Sequence, residues 1–310
     1  MNEMQVSVIF VNYNTEKMTV EAVKSVFDKT DGVDFEIIVV DNASADNSVN
    51  GLKKAFGNKI TVIESKENLG FGRGNNLAIN MANGKYVFLL NTDTLLINNA
   101  VKILFDFMEK NPEAGVCGAN LYDAGGNPTY SFRKRFLPEN ELLLNNIFKA
   151  VKQRITKKIP DYFNYKNKNM RVDAVTGADM MIREEALDKS GLFDADFFMY
   201  LEEDELTSRI AKCGYLSYSV PEAKITHLVC GSFCGAENNE KRLTMHAYGE
   251  FLFYEKVYGI ESAVKHYKKR LQFINILNVL SFGILRKYCA LKKKALNEAY
   301  SEWKKRNLSV

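Results

Sequence analysis

The first 120 residues alternate between short, nearly unbroken apolar runs and longer stretches in which apolar residues recur every three or four positions. The apolar runs are residues 6–11, 36–40, 60–63 and 86–90. Runs this continuous predict strands buried on both faces. Between them lie Val20, Val23, Val26 and Phe27, then Val49, Leu52 and Phe56, then Leu77, Ala78 and Met81, and finally Val101, Leu104, Phe105 and Met108, all at helical spacing. Alternation at intervals of roughly 25–30 residues predicts βαβ units with right-handed crossovers and parallel strands. Each predicted strand stops at polar residues: Asn12 to Asn14, Asp41 to Ser44, Glu67 to Gly70, and Asn91 to Asp93. Parallel strands carry these clusters to one edge of one sheet, where open α/β sheets bind their ligands.

Beyond residue 120 the pattern changes. Residues 122–128 are rich in turn formers, and a basic stretch runs to about residue 171 with one short predicted helix at 141–151. Strands are predicted again at 172–176 and 179–182, followed by a helix over 183–190 that stops at Gly191. The aromatic segment Phe193 to Tyr200 then runs into Glu202, Glu203, Asp204 and Glu205, which open a helix reaching Cys213. Carboxylates in a first turn are favoured by the helix dipole. Four in a row exceed what that compensation needs, which makes one of them a candidate catalytic acid or base. A further strand at 223–226 leads into His227. Near the C-terminus, Gln272, Asn275, Asn278 and Ser281 draw one narrow polar stripe along an otherwise apolar helix, too short and too polar to span a bilayer. With His266, Lys268, Lys269, Arg270, Arg286 and Lys287 around it, this helix fits an anionic membrane surface. Packing on the main domain fits nearly as well, as does a second subunit in a homo-oligomer.

Composition adds bounds rather than direction. At 310 residues, 46% apolar and 26% charged, the chain has the makeup of a soluble globular protein with one large α/β domain or two small ones. An immediate first strand leaves no signal peptide, and five scattered cysteines read as reduced thiols. The expected location is cytoplasmic, including peripheral attachment to the inner face of the cytoplasmic membrane. The net charge of +4 hides an asymmetry: residues 133–171 hold eleven Lys/Arg against three Asp/Glu, and residues 264–306 hold twelve against two, so the remainder is acidic. Two basic segments on an acidic body suit an anionic surface, or are solvated helix faces. Aromatics are not interleaved with them in a recognition pattern, so no nucleic-acid partner is expected.

Asp93 ends the most apolar strand on a carboxylate, a ligand suited to a hard divalent cation that holds a phosphate. The glycine-rich run at 70–74 follows the third predicted strand and reads Gly-x-Gly-x-Gly, which argues against a dinucleotide fingerprint. The stretches at 8–14, 39–44, 67–76, 89–94, 176–183, 198–206 and 227–232, taken in order, closely resemble the inverting nucleotide-sugar glycosyltransferases of family 2, in particular their rhamnosyltransferase-like branch. The resemblance implies the GT-A fold, an α/β architecture with a mostly parallel central sheet flanked by helices, here with a helical C-terminal extension. Residues 1–260 would form that domain, 1–120 as the nucleotide-sugar-binding half and 121–260 as the acceptor and catalytic half, with 261–310 the basic extension. It also implies metal-dependent transfer, with inversion, from a dTDP- or UDP-sugar, dTDP-rhamnose among them, to a hydroxyl of a cell-envelope glycan or lipid-linked acceptor.

Residue by residue, the resemblance gives Asp41 the ring N–H of uracil or thymine, with Asn12 and Asn14 beside it; the bland alternative is an N-cap partnered with Ser44. Asn68 and a turn from Gly70 to Gly74 would let the backbone approach the nucleotide, with Arg73 a phosphate partner and Asn75 also on the donor side, where Asn75 or Asn76 begins the next helix. Asp93 would ligate Mn2+ or Mg2+. The family's Asp-x-Asp is Asn91-Thr92-Asp93 here, so one strong carboxylate remains and a second ligand, His227, gains importance. The general base falls on Glu203, with Glu202 and Asp204 as alternatives because Glu is one methylene longer than the family's Asp. Asp179 and Glu202 are expected on the acceptor side. A sugar-nucleotide nucleotidyltransferase would favour a Gly-rich, Lys/Arg-bearing loop where this chain has Asn12-Tyr13-Asn14-Thr15. A non-catalytic nucleotide- or glycan-binding module is opposed by the joint presence of Asp41, Asp93, Glu203 and His227.

Overall fold

The computed structural model describes residues 4–133, 162–228, 236–281 and 284–308. The predicted helix at 141–151 and the residues Gly231 and Ser232 behind His227 lie outside the described residues. The chain divides into two compact units, a sheet unit described over 4–133, 162–195 and 206–228, and a helical unit described over 196–205, 236–281 and 284–308.

In the sheet unit, β1 (Val6–Asn12), β2 (Phe35–Asp41), β3 (Thr61–Glu64) and β4 (Tyr86–Leu90) run parallel in the order β3-β2-β1-β4. Asn12 pairs with Asp41 and Asp41 with Glu64, so the polar strand ends do meet at one edge. The crossovers are α1 (Glu16–Lys29), α2 (Ser48–Phe56) and α3 (Gly70–Ile79). Period-two alternation divides each strand between two cores. Val8, Phe10, Ile37, Val39, Phe88 and Leu90 face α1, α2 and α4 (Ala100–Lys110), while Ile9, Ile38, Val40 and Leu89 face α3. Both faces are covered, which is why these strands read as unbroken apolar runs. Burying Phe10 or Phe88 completely contributes about 1.5–3 kcal/mol each.

The second half of the sheet is mixed. After β5 (Thr94–Leu96), β6 (Ala114–Tyr122), β7 (Phe132–Arg133), β8 (Met170–Val172), β9 (Ala174–Val175) and β10 (Asp179–Arg183), the helices α5 (Glu184–Ser190) and α6 (Glu202–Lys212) lead to the long β11 (Leu216–His227). β10 lies antiparallel between β4 and β6, and β11 pairs parallel with β6 and antiparallel with β5 and β8. β7 and β9 form a separate two-stranded sheet.

One local expectation is corrected. Residues 70–74 are the first turns of α3, not a turn before a helix starting at Asn75 or Asn76. Gly70 opens the helix at φ +77°, a conformation that favours glycine. Inside the helix, a Cβ on Gly72 would sit 3.0 Å from Cβ of Phe193, and one on Gly74 would sit 2.9 Å from Cγ1 of Val11. Gly72 and Gly74 therefore allow close packing of α3.

The helical unit consists of α7 (Ala236–Tyr258), α8 (Ile260–Leu280) and α9 (Arg286–Leu308). Its core joins Phe251, Tyr254, Ile274, Leu296 and Trp303 with Phe197 and Leu201. Tyr267 stacks on Tyr300 at 3.8 Å, and Trp303 Nε1 donates to Glu255 at 2.6 Å. The C-terminal helices thus bury their apolar faces against one another, and no helix among the described residues is long and apolar enough to cross a membrane. Helix α6 starts in this unit at Glu202 and continues into the sheet unit from Leu206.

Candidate donor and catalytic site

The loops after β1 and β2 are stitched together by side chains. Asn12 is fully buried; its Nδ2 donates to Oδ1 of Asp41 (2.7 Å) and to Oγ of Ser44 (3.0 Å), while its Oδ1 accepts from the hydroxyls of Thr15 (2.8 Å) and Thr19 (2.7 Å). Asn14, at φ +55°, donates its backbone N–H to Ser44 Oγ and accepts from the Ala45 N–H through Oδ1. Asp41 also accepts from the Ser44 N–H at 3.0 Å. It closes a turn there and caps no helix, because α2 begins only at Ser48 with Asn47 at its cap. Its two oxygens offer about four acceptor sites, so capacity remains for a ring N–H. Ala43 is held at φ +62° between these bonds; a non-glycine residue there costs on the order of 1–3 kcal/mol, and such strain clusters at ligand sites.

Asn42, which the sequence reading passed over, organises the next loop. It donates to Oδ1 of Asn68 (2.9 Å) and to the Gly70 carbonyl (3.0 Å), and it accepts from the Leu69 N–H (2.9 Å). Its position inside the polar strand end after β2 was the available signal. Asn68 Oδ1 also accepts from the Gly70 N–H. Arg73, half-buried in α3, donates Nε to the Leu69 carbonyl at 3.0 Å. Asn75 is buried and bonds back to the Phe71 carbonyl within its own helix.

Asp93 and His227 come together through β-pairing. His227, the last residue of β11, stands opposite Thr94 of β5, and the Leu228 N–H donates to the Asp93 carbonyl. His227 Nε2 then lies 3.3 Å from Asp93 Oδ1, with side-chain exposures of 20% and 9%, so the pair can be reached from solvent. The described residues contain no group of three or more His, Cys, Asp or Glu that could cage an ion. A carboxylate and an imidazole side by side fit a cation that takes its remaining ligands from phosphate oxygens and water.

Asp179, expected on the acceptor side, is fully buried in β10, accepting from the Ala119 N–H at 2.6 Å and from the Thr176 hydroxyl at 3.1 Å. Burial pushes its carboxyl well above the usual range, and those two hydrogen bonds offset this only in part. Arg183, at the far end of the same strand, donates to the carbonyls of Ala114, Met108 and Asn111 and to the Tyr86 hydroxyl. It ties β10 to the end of α4.

In the helical unit, Glu202, Glu203, Asp204 and Glu205 form the first turn of α6, each 3–6% exposed. Tyr200 and Leu201, immediately before them, hold φ of +76° and +70°. A Cβ on Gly249 of α7 would lie 2.4 Å from the Tyr200 carbonyl oxygen, so that glycine is what admits the strained entry to the acidic turn.

A model of the family described as "Glycosyl transferase family 2" matches residues 7–191, more than half of the chain. N-acetylglucosaminyl-diphospho-decaprenol L-rhamnosyltransferase of Mycobacterium tuberculosis is 26% identical over 207 residues, covering 62% of this chain and 66% of the relative. Poly(ribitol-phosphate) beta-N-acetylglucosaminyltransferase TarP of Staphylococcus aureus is 28% identical over 153 residues, 47% of this chain and 46% of the relative. The chain therefore spans less than two thirds of the length of these curated relatives. Among solved structures, GalNAc-T7 with UDP, GalNAc and Mn2+ superposes at a TM-score of 0.61 and 15% identity, covering 99% of this chain and 58% of that one. A mannosyltransferase from Pyrobaculum calidifontis in complex with GDP-Man and Mn2+ gives 0.57 at 15% identity, covering 98% and 88%. At that identity the likeness shows the fold, which is GT-A. By the extent of its match to the family model, the chain belongs to glycosyl transferase family 2.

Proposed function

We propose that this chain transfers a sugar, with inversion, from a dTDP- or UDP-sugar to a hydroxyl of a cell-envelope glycan or lipid-linked acceptor. The observation that carries the reading is the Asp93–His227 pair, set by the antiparallel pairing of β5 with β11 just past the carboxyl end of β4. In this reading Asp41 accepts the ring N–H of a pyrimidine, Asn12 and Asn14 fix that loop, and Asn42 and Asn68 fix the loop before α3. Asp93 and His227 hold the divalent cation, and an oxygen-plus-nitrogen donor set suits Mn2+ better than Mg2+. When bound, the cation neutralises charge on the departing diphosphate.

Glu203 takes the proton from the acceptor hydroxyl as its oxygen attacks the anomeric carbon, while the nucleoside diphosphate leaves from the opposite face. Glu202 belongs to the acceptor side, and Asp179 acts from beneath as a brace for β10 and β6. Both named relatives support a phosphate-bearing acceptor, since one name contains diphospho-decaprenol and the other poly(ribitol-phosphate).

Calorimetric titration with UDP, dTDP and GDP, with and without Mn2+, tests the donor half. Metal-dependent binding of one pyrimidine diphosphate, lost in Asp93→Ala and weakened in His227→Ala, is the expected result. Failure of all three nucleotides to bind under any condition would remove the basis of the proposal.

A further inference from the structure

The helical unit carries a half-open cavity of about 360 Å3 that the donor chemistry does not use. That volume falls within the roughly 300–1,000 Å3 of ordinary small-molecule sites. Arg242 of α7, Arg270 of α8 and Lys292 of α9 line it together with His246. Leu243 and Ile274 form part of an apolar wall, and Tyr200 contributes from the segment that enters the acidic turn.

The charges around the cavity do not balance. Arg270, His246 and His266 all converge on one buried carboxylate, Glu250, at 3.4, 3.3 and 2.9 Å. Among the described residues no carboxylate forms an ion pair with Arg242 or Lys292; the Lys292 ammonium lies over the Tyr288 ring at 4.7 Å. A concave wall carrying surplus positive charge concentrates anions. The cationic groups reach it from three different helices, an arrangement that matches a tetrahedral, multiply charged oxyanion better than a flat carboxylate. Arginine forks and a lysine ammonium are the usual phosphate partners. The apolar wall beside them leaves room for a hydrocarbon group attached to the anion.

Tyr200 ties the cavity to the chemistry. Its ring lies 5.4 Å from that of His246, and its carbonyl rests on Gly249. Glu202 and Glu203 follow it by two and three residues in the same unit. We propose that the Arg242–Arg270–Lys292 cavity is a phosphate-binding site that holds the phosphate or diphosphate of the acceptor and so keeps its hydroxyl beside the acidic turn. This rests on the glycosyltransferase reading.

The test is calorimetry on the full chain in EDTA, with inorganic pyrophosphate and geranyl diphosphate as probes. Both bind wild type, and Arg242→Ala/Lys292→Ala weakens both by about tenfold or more, as expected for loss of hydrogen bonds to a charged group. Arg242 is exposed, Lys292 is half-buried, and neither belongs to the helical core, so the double variant keeps its melting temperature. Tighter binding of geranyl diphosphate than of pyrophosphate assigns a lipid-linked diphosphate, and equal binding assigns the phosphate alone, as on a polymer. The proposal is overturned if neither probe binds wild type, or if binding survives the double substitution and is lost in Asp93→Ala. Mn2+-dependent nucleotide binding, measured on the same protein preparation after the EDTA is exchanged for Mn2+, separates the two failures: if it persists while the probes fail, only the cavity proposal falls.

Discussion

Glu203 is buried in the first turn of α6, second in a run of four consecutive carboxylates. A base must be ionised before the acceptor arrives, so Glu203→Gln is expected to lower turnover by about a hundredfold to ten-thousandfold while donor affinity stays unchanged. Retained turnover with a dead Glu202→Gln or Asp204→Asn would move the assignment to that neighbour. Asp179 behaves differently. Its pKa is raised on folding, so its contribution to stability is complete below the unfolded value and is lost as pH rises through the folded one. Asp179→Asn can still accept from the Ala119 N–H and donate to the Thr176 hydroxyl. The variant should therefore match or exceed wild type in melting temperature, with the advantage growing toward alkaline pH; a loss of stability that grows with pH would contradict this account. That Asp93 and His227 belong together could be read from the sequence, because each ends an apolar run on a side chain with metal-binding chemistry, and the structure brings the two side by side. What the sequence did not show is that Asn75 and Asp179 also brace backbone, Asn75 through the Phe71 carbonyl and Asp179 through the Ala119 N–H.

Among the elements, the first four strands and their helices could be read directly, since strands covered on both faces must be apolar throughout and their crossovers must be amphipathic. What escaped was set by contacts distant in sequence. The glycines of α3 answer to Val11 and Phe193, and the pairing of β5 with β11 joins residues about 130 positions apart. The segment before α6 shows the same limit, because nothing local explains why Tyr200 and Leu201 hold positive φ; Gly249 does, through the Tyr200 carbonyl. Gly249→Ala is expected to cost about 1–3 kcal/mol by overpacking. If it also shifts the acidic turn, turnover falls more than donor affinity does. A melting temperature equal to wild type would show that the close approach is not required.

At the scale of the molecule, the basic C-terminal segment resolves into internal pairing and an exposed remainder. Asp196 takes Lys256 and Arg306, and Glu255 takes Arg306 and the Trp303 indole. Burial raises the pKa of Glu250, but Arg270 and the hydrogen bonds from His246 and His266 outweigh it and hold the carboxyl well below the usual range. A depressed carboxyl adds stability above its unfolded value and surrenders it as pH falls, so the helical unit should lose stability on acidification and Glu250→Gln should flatten that loss. The sequence left three uses for the apolar C-terminal helix: an anionic membrane surface, packing on the main domain, or contact with a second subunit. Ile274 is buried in the helical core, whereas Ile276, Val279, Leu280 and Ile284 are exposed at the end of α8, next to Arg286 and Lys287. Exposed aliphatic side chains beside cations suit an anionic bilayer, where each Lys or Arg near the surface contributes about 1 kcal/mol. The full chain should therefore co-sediment with phosphatidylglycerol vesicles and not with phosphatidylcholine ones, and high salt should release it. Val279→Asp/Leu280→Asp should abolish the binding without lowering the melting temperature, because neither side chain belongs to the core. Binding unaffected by that double substitution would leave these aliphatic residues with no part in membrane attachment.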